Sequence, residues 1–223
     1  MKRIALRNRI LPRYSRGEEI MNMVTHIVGG GLAVLTLILC LLRAVQRGSV
    51  QGIVCAAIYG STMIAVYTMS SVYHGLHPGT AKKVMQIIDH CTIYFLIAGT
   101  YTPIVVCALA PVYPAIGWGL LIFQWVLAII ATVLTAIDLR RYRVFSMICY
   151  IGMGWSVIFF LPQAMEVLGA SGFCFLLAGG IAYTIGAILF GIGSKVKWMH
   201  SVFHLFVIAG SMLQMITVAF YVL

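Results

Sequence analysis

Seven apolar stretches, each close to the ~20 residues that cross a bilayer as a helix, take up almost the whole chain. They run roughly over 20–42, 50–73, 84–110, 112–137, 144–161, 172–193 and 198–223. The connections are short, and several carry Gly or Pro, as in His77-Pro78-Gly79 and Ala110-Pro111. The expected fold is an all-α integral membrane protein, a seven-transmembrane helix bundle over 18–223 preceded by a basic segment, 1–17. The chain shows neither an internal repeat nor a separate soluble domain.

Composition agrees with this. Hydrophobic residues make up 62% and charged residues 9%, against about 25% charged in a soluble domain. The net charge of +10 would suggest nucleic acid in a soluble chain, but here the charge sits in short loops and sets topology. Nucleic-acid binding is therefore not expected. The six cysteines fall within or at the ends of apolar runs without a CxxC pair. They read as packing residues, not as a disulfide framework or a thiolate zinc site. No A-x-A cleavage site accompanies the first apolar run, which reads as a retained span.

Counting the basic residues between spans fixes the expected orientation. Thirteen lie on one side: six before span one (Lys2, Arg3, Arg7, Arg9, Arg13, Arg16), then Lys82, Lys83, Arg140, Arg141, Arg143, Lys195 and Lys197. Only Arg43 and Arg47 lie on the other. The positive-inside rule puts the N-terminus in the cytoplasm and the C-terminus outside.

Against this apolar background the ionisable residues stand out, and inside a membrane such groups are functional candidates by default. His200 and His204, four apart at the start of span seven, share a helix face. Ser70 and His74 have the same spacing at the end of span two, and Asp89 lies in the first turns of span three. Glu19, Asn22 and His26 follow one face at the start of span one. Glu18 and Glu19 also suit a helix N-terminus as caps or solvated ends. His90 points about 100° away from Asp89 and need not share a site; His77 reads as solvated in a turn. Gly29-Gly30-Gly31 suggests close helix packing, and Gly99 to Pro103 should kink or soften span three. Asp138 and Glu166 read as surface charges.

The predicted topology brings the polar groups of spans one, two, three and seven to one membrane depth, near the cytoplasmic face. Three neutral imidazoles plus a water form an open tetrahedral Zn2+ site. On this reading His74, His200 and His204 ligate zinc, and Asp89 is the water partner or general base. Ser70 donates to an oxyanion or the metal water, while Glu19, Asn22 and His26 surround the ligands. The plainer alternative is that these histidines only hydrogen-bond between helices.

These motifs together resemble the hemolysin III branch of the progestin and adipoQ receptor (PAQR) family. The likeness rests on Glu18-Glu19-x-x-Asn22-x-x-Thr25-His26, Ser70-x-x-x-His74, Asp89-His90, Ala98-Gly99-Thr100-Tyr101-Thr102-Pro103 and His200-x-x-x-His204, and it covers about Gly17 to Leu223. It implies a seven-helix fold with a cytoplasm-proximal zinc held by helices two and seven. The more distant alkaline ceramidases share the Ser, His, Asp and His-x-x-x-His pattern, which implies amide hydrolysis of a lipid. The short chain is similar to the bacterial members, labelled from cytolysins to regulators of membrane fluidity, and this implies a place in the bacterial plasma (inner) membrane. Hormone binding is not implied, because the large N-terminal domain of the eukaryotic receptors has no counterpart.

Three functions follow. The first is a zinc hydrolase acting on a lipid amide or ester, with membrane lipids as partners and possible substrate. The second is a non-catalytic regulator of membrane homeostasis with a structural zinc. The third, a hemolysin or channel, fits less well, since no polar stripe runs from face to face.

Overall fold

The computed structural model describes residues 6–193 and 196–223. Lys2, Arg3 and Lys195, counted above among the topology-setting residues, lie outside the described residues. The described chain is helical throughout: α1 (Arg16–Gln46), α2 (Val50–Gly75), α3 (Thr80–Pro103), α4 (Pro114–Ile137), α5 (Arg143–Gly154), α6 (Leu161–Gly193) and α7 (Met199–Thr217). Short π-helical turns extend α3 over Ile104–Leu109 and α7 over Val218–Val222, and a 3-10 segment, Ser156–Phe160, joins α5 to α6. Among the described residues, six continuous helical stretches are long and apolar enough to cross a membrane.

Local chemistry sets the boundaries. Ser15 and Glu18 form a capping box at the start of α1, so Glu18 is the cap expected for one of the two glutamates. Gly48, with φ +63°, turns the chain into Ser49, whose hydroxyl caps α2. In α3 the Thr100 and Thr102 hydroxyls donate to the carbonyls of Leu96 and Ala98. Pro103 then lacks an N–H to continue the ladder. The π-helical turn that follows is the softening expected of this segment.

The stretch Arg143–Gly193 is 51 residues long, and as one straight helix it would reach about 77 Å, far beyond a bilayer. It is not straight. The 3-10 segment interrupts it near Trp155, and Gly169 breaks the helical path at φ 67°, ψ 167°, a region few residues other than glycine adopt. Spans five and six, expected as 144–161 and 172–193, thus fall in one continuous helical stretch whose break lies at Gly169. Glu166 lies on helix, where it accepts a hydrogen bond from the Tyr113 hydroxyl at 2.5 Å. Asp138 departs from the surface role expected of it: it is buried, and its Oδ1 accepts the Arg140 and Arg141 N–H groups in the turn after α4.

Neighbouring helices pack in the pairs α1–α2, α2–α3, α3–α4 and α6–α7, and α1 closes against α7. α3 is the most enclosed span. Large apolar residues such as Ile27, Leu35, Leu42, Ile122 and Ile130 face outward, while Asn22, His26, Ser70, His74 and His204 are buried. This is the distribution of a chain dissolved in lipid. At the opposite end from the N-terminus, Arg43 and Arg47 donate to the carbonyls of Ala219 and Val222, where α7 runs out of its own donors.

Candidate metal centre

The polar groups of four helices meet at the end of the bundle where α1 and α7 begin. One ring nitrogen from each of His74, His200 and His204 falls within a group spanning no more than 4.8 Å. The Nε2 atoms of His74 and His200 are 3.3 Å apart. Two nitrogens bound tetrahedrally to zinc at ~2.0–2.1 Å stand about 3.3–3.4 Å from each other. All three imidazoles are buried.

In His74 and His204 the other ring nitrogen is engaged by a second partner. His74 Nδ1 lies 2.7 Å from Glu19 Oε2, and the Lys82 ammonium donates to Glu19 Oε1 at 2.7 Å. Lys82 also donates to the carbonyls of Leu76 and His74, closing the C-terminal end of α2. Glu19 is therefore not a cap; it holds His74. His204 Nδ1 lies 3.2 Å from the Asn22 carbonyl and 3.2 Å from the Thr25 hydroxyl. Both Nδ1–H groups are thus placed to donate, leaving Nε2 lone pairs free for a cation, as in carboxylate- and carbonyl-supported zinc histidines. The donor set fits Zn2+.

Further contacts lock α1 to α7. The Ser201 hydroxyl donates to Asn22 Oδ1 at 2.6 Å, and the Trp198 N–H donates to Glu18 Oε1 at 2.8 Å. Trp198 adopts a left-handed backbone, φ 66°, just before α7. His26 stacks on His204 with centroids 3.6 Å apart and meets Tyr67 edge-on. Neither ring nitrogen of His26 has a hydrogen-bond partner, although both are buried. Such a group marks a place where water or ligand is expected to bind.

A cavity of about 180 Å³ opens from this cluster into the bundle. His26, Ser70, Asp89, His200 and His204 line its polar end, and Tyr101, Ile104, Val157, Leu176 and Gln214 line it farther in. From His200 to Gln214 it follows α7 for about 21 Å. Ser70 and Asp89 lie side by side on this wall. His90 faces Asp89 at 3.7 Å and its own helix at the Gln86 carbonyl, so it borders the cavity but lies outside the three-histidine group. His77 is exposed, as its place in the turn suggested.

Tyr14, Thr25, Lys82 and Ser201 were not among the sequence candidates. Tyr14 stacks on His200 with centroids 5.0 Å apart and an interplanar angle of 26°, and stands 5.8 Å from His74. Burial pushes its phenol well above the usual range, helped by the carboxylates of Glu19, Asp89 and Glu18. By sequence, Lys82 reads only as a loop charge. Ser201 and Thr25 carried a faint signal, being hydroxyls beside polar residues in the first turns of their spans.

Comparison with known proteins decides the family. The profile described as "Haemolysin-III related" matches residues 14–215. The chain belongs to the haemolysin-III-related family. It is 39% identical over 206 residues to "Hemolysin-3" of Bacillus cereus, covering 92% of both chains. It is 35% identical over 204 residues to "Hemolysin-3 homolog" of Bacillus subtilis (strain 168), covering 92% of this chain and 94% of the relative. A human protein, "Monocyte to macrophage differentiation factor", is 27% identical over 158 residues, 68% of this chain and 63% of its own. The haemolysin-III match begins at Tyr14, so the residue lying over His200 falls inside the family region.

Proposed function

We propose that this haemolysin-III-related protein is a zinc-dependent integral membrane hydrolase of a lipid amide or ester, working in membrane homeostasis. Its seven crossings would divide Arg143–Gly193 at Gly169, place the N-terminus in the cytoplasm and the C-terminus outside, and sit in the plasma membrane of a bacterium. The break at Gly169 and the surplus of basic residues at the N-terminal end support this arrangement.

The observation that carries the reading is the three-imidazole group beside Ser70 and Asp89 at the polar end of an apolar cavity. Three protein ligands are the number a catalytic zinc takes, the fourth position being kept for water or substrate. Zinc, when bound, supplies a Lewis acid and lowers the pKa of a bound water to about 7. Asp89 accepts the proton of the attacking water at a carboxylate oxygen. Ser70 donates its hydroxyl to the oxygen that becomes negative at the reacting carbonyl. Glu19 and Lys82 keep His74 in one ring orientation, and the apolar wall beyond Tyr101 takes an acyl chain and excludes water.

A structural zinc in a regulator of lipid packing would not call for a carboxylate and a hydroxyl at the mouth of an acyl-sized cavity. A conducting pore would need charged or strongly polar groups along its length, whereas here the histidines and Asp89 gather at one end. The test is turnover of long-chain N-acyl and O-acyl lipids by zinc-loaded protein in liposomes. Activity lost on chelation and restored by zinc is expected. No turnover of either class by fully loaded protein would overturn the hydrolase reading.

A further inference from the structure

The segment before α1 crosses the end of the bundle at which the histidines meet. Its short 3-10 turn, Leu6–Asn8, packs against α3. The Arg9 guanidinium donates to the Ile137 carbonyl at 3.0 Å, the last residue of α4. Tyr14 then covers His200 of α7 and His74 of α2. Ser15 immediately follows as the cap of α1, and its partner Glu18 also accepts the Trp198 N–H. The strap is thus anchored at both ends, on α4 and at the α1–α7 junction, and its one large ring between them lies over the imidazoles. The cavity reaches His200 as well, and Tyr14 is not part of its wall.

We infer that Tyr14 is a positioning residue of the metal centre, the closing ring of an N-terminal strap that holds His200 in place and controls cation exchange from the N-terminal end of the bundle. The site would then have two separate entrances: a lipid-facing one through the cavity, and an aqueous one past Tyr14. Stacking, not the hydroxyl, does the closing, because the contacts to His200 and His74 are ring to ring. The exchange of metal rests on the zinc reading given above, but the cover over His200 does not.

Diethyl pyrocarbonate modification of metal-stripped protein, mapped by peptide mass spectrometry, separates the two. His77, exposed in the turn after α2, serves as the internal reference for reagent delivery. In wild type, His200 should react far more slowly than His77. Tyr14→Ala should raise the His200 rate roughly tenfold, the size of a lost aromatic contact and ring burial expressed in an opening equilibrium. Tyr14→Phe should behave as wild type. Arg9→Ala, which frees the far end without touching the site, should give a smaller increase. His204, deeper in the bundle, should stay protected in every variant. An unchanged His200 rate in Tyr14→Ala, a Tyr14→Phe result matching Tyr14→Ala, or simultaneous labelling of His204 would each overturn the inference.

With zinc-loaded protein, release to a chelator should be roughly tenfold faster in Tyr14→Ala at unchanged zinc capacity. Should wild type hold no zinc, the metal reading fails while the His200 labelling still decides the strap.

Discussion

The Nε2 atoms of His74 and His200 face each other at 3.3 Å between α2 and α7. Two neutral imidazole nitrogens at that separation, each with its lone pair directed inward, repel unless a proton or a cation lies between them. His204 adds a third nitrogen to the same group. The fold therefore brings together an arrangement that a bound cation, Zn2+ on the proposed reading, would stabilise directly.

Glu19 should matter to metal affinity although it touches no metal position. It joins His74 Nδ1 to the buried ammonium of Lys82. Glu19→Gln removes the charge that fixes both, and partners of this kind are worth roughly 10–100-fold in affinity. Competition with a chromophoric zinc chelator measures this, and an affinity equal to wild type would remove Glu19 from the site.

The glycine run in α1 gives a stability prediction with an internal control. A Cβ on Gly29 would meet the Tyr67 ring at 2.6 Å, and that ring is held by its hydrogen bond to Ser211. Gly29→Ala should cost about 1–3 kcal/mol by overpacking. A Cβ on Gly31 meets nothing within 4 Å, so Gly31→Ala should be neutral or slightly stabilising. Thermal unfolding in detergent compares the two, and equal shifts would contradict the close approach of α1 and α2.

Asp89 separates chemistry from metal binding. Asp89→Asn should keep the zinc content of wild type and lower lipid turnover by about 10²–10⁴, the usual contribution of a general base. Turnover unaffected by the substitution would rule out Asp89 in that role. Zinc lost together with activity would instead make it a ligand.

Much of the site was legible from residue spacing. Ser70 and His74, His200 and His204, and Asp89 lie on regular helical faces in an apolar background, where a polar residue is conspicuous. Topology alone then put them at one depth. Glu19 was ambiguous because a carboxylate in the first turn of a helix is usually a cap; its neighbour Glu18 is that cap, and only the fold shows that Glu19 turns inward to His74.

Tyr14 and Lys82 were hidden for another reason. Tyr14 precedes the first helix in a segment with no periodicity, and its partner His200 is far away in the chain. Lys82 follows a turn where a solvated charge is the ordinary case, and its burial comes from α1 and α2 closing over it. The sequence likewise did not show that the helix holding the end of the expected span 144–161 would run on past Leu161. That helix continues to Leu168 and turns at Gly169, a residue without apolar-pattern signal.

The most direct measurement is zinc per chain in wild type and in His200→Ala/His204→Ala, both purified under zinc-replete conditions. About one zinc is expected in wild type and almost none in the double variant, since one remaining imidazole cannot hold the ion. Equal zinc content in the two proteins would contradict that expectation.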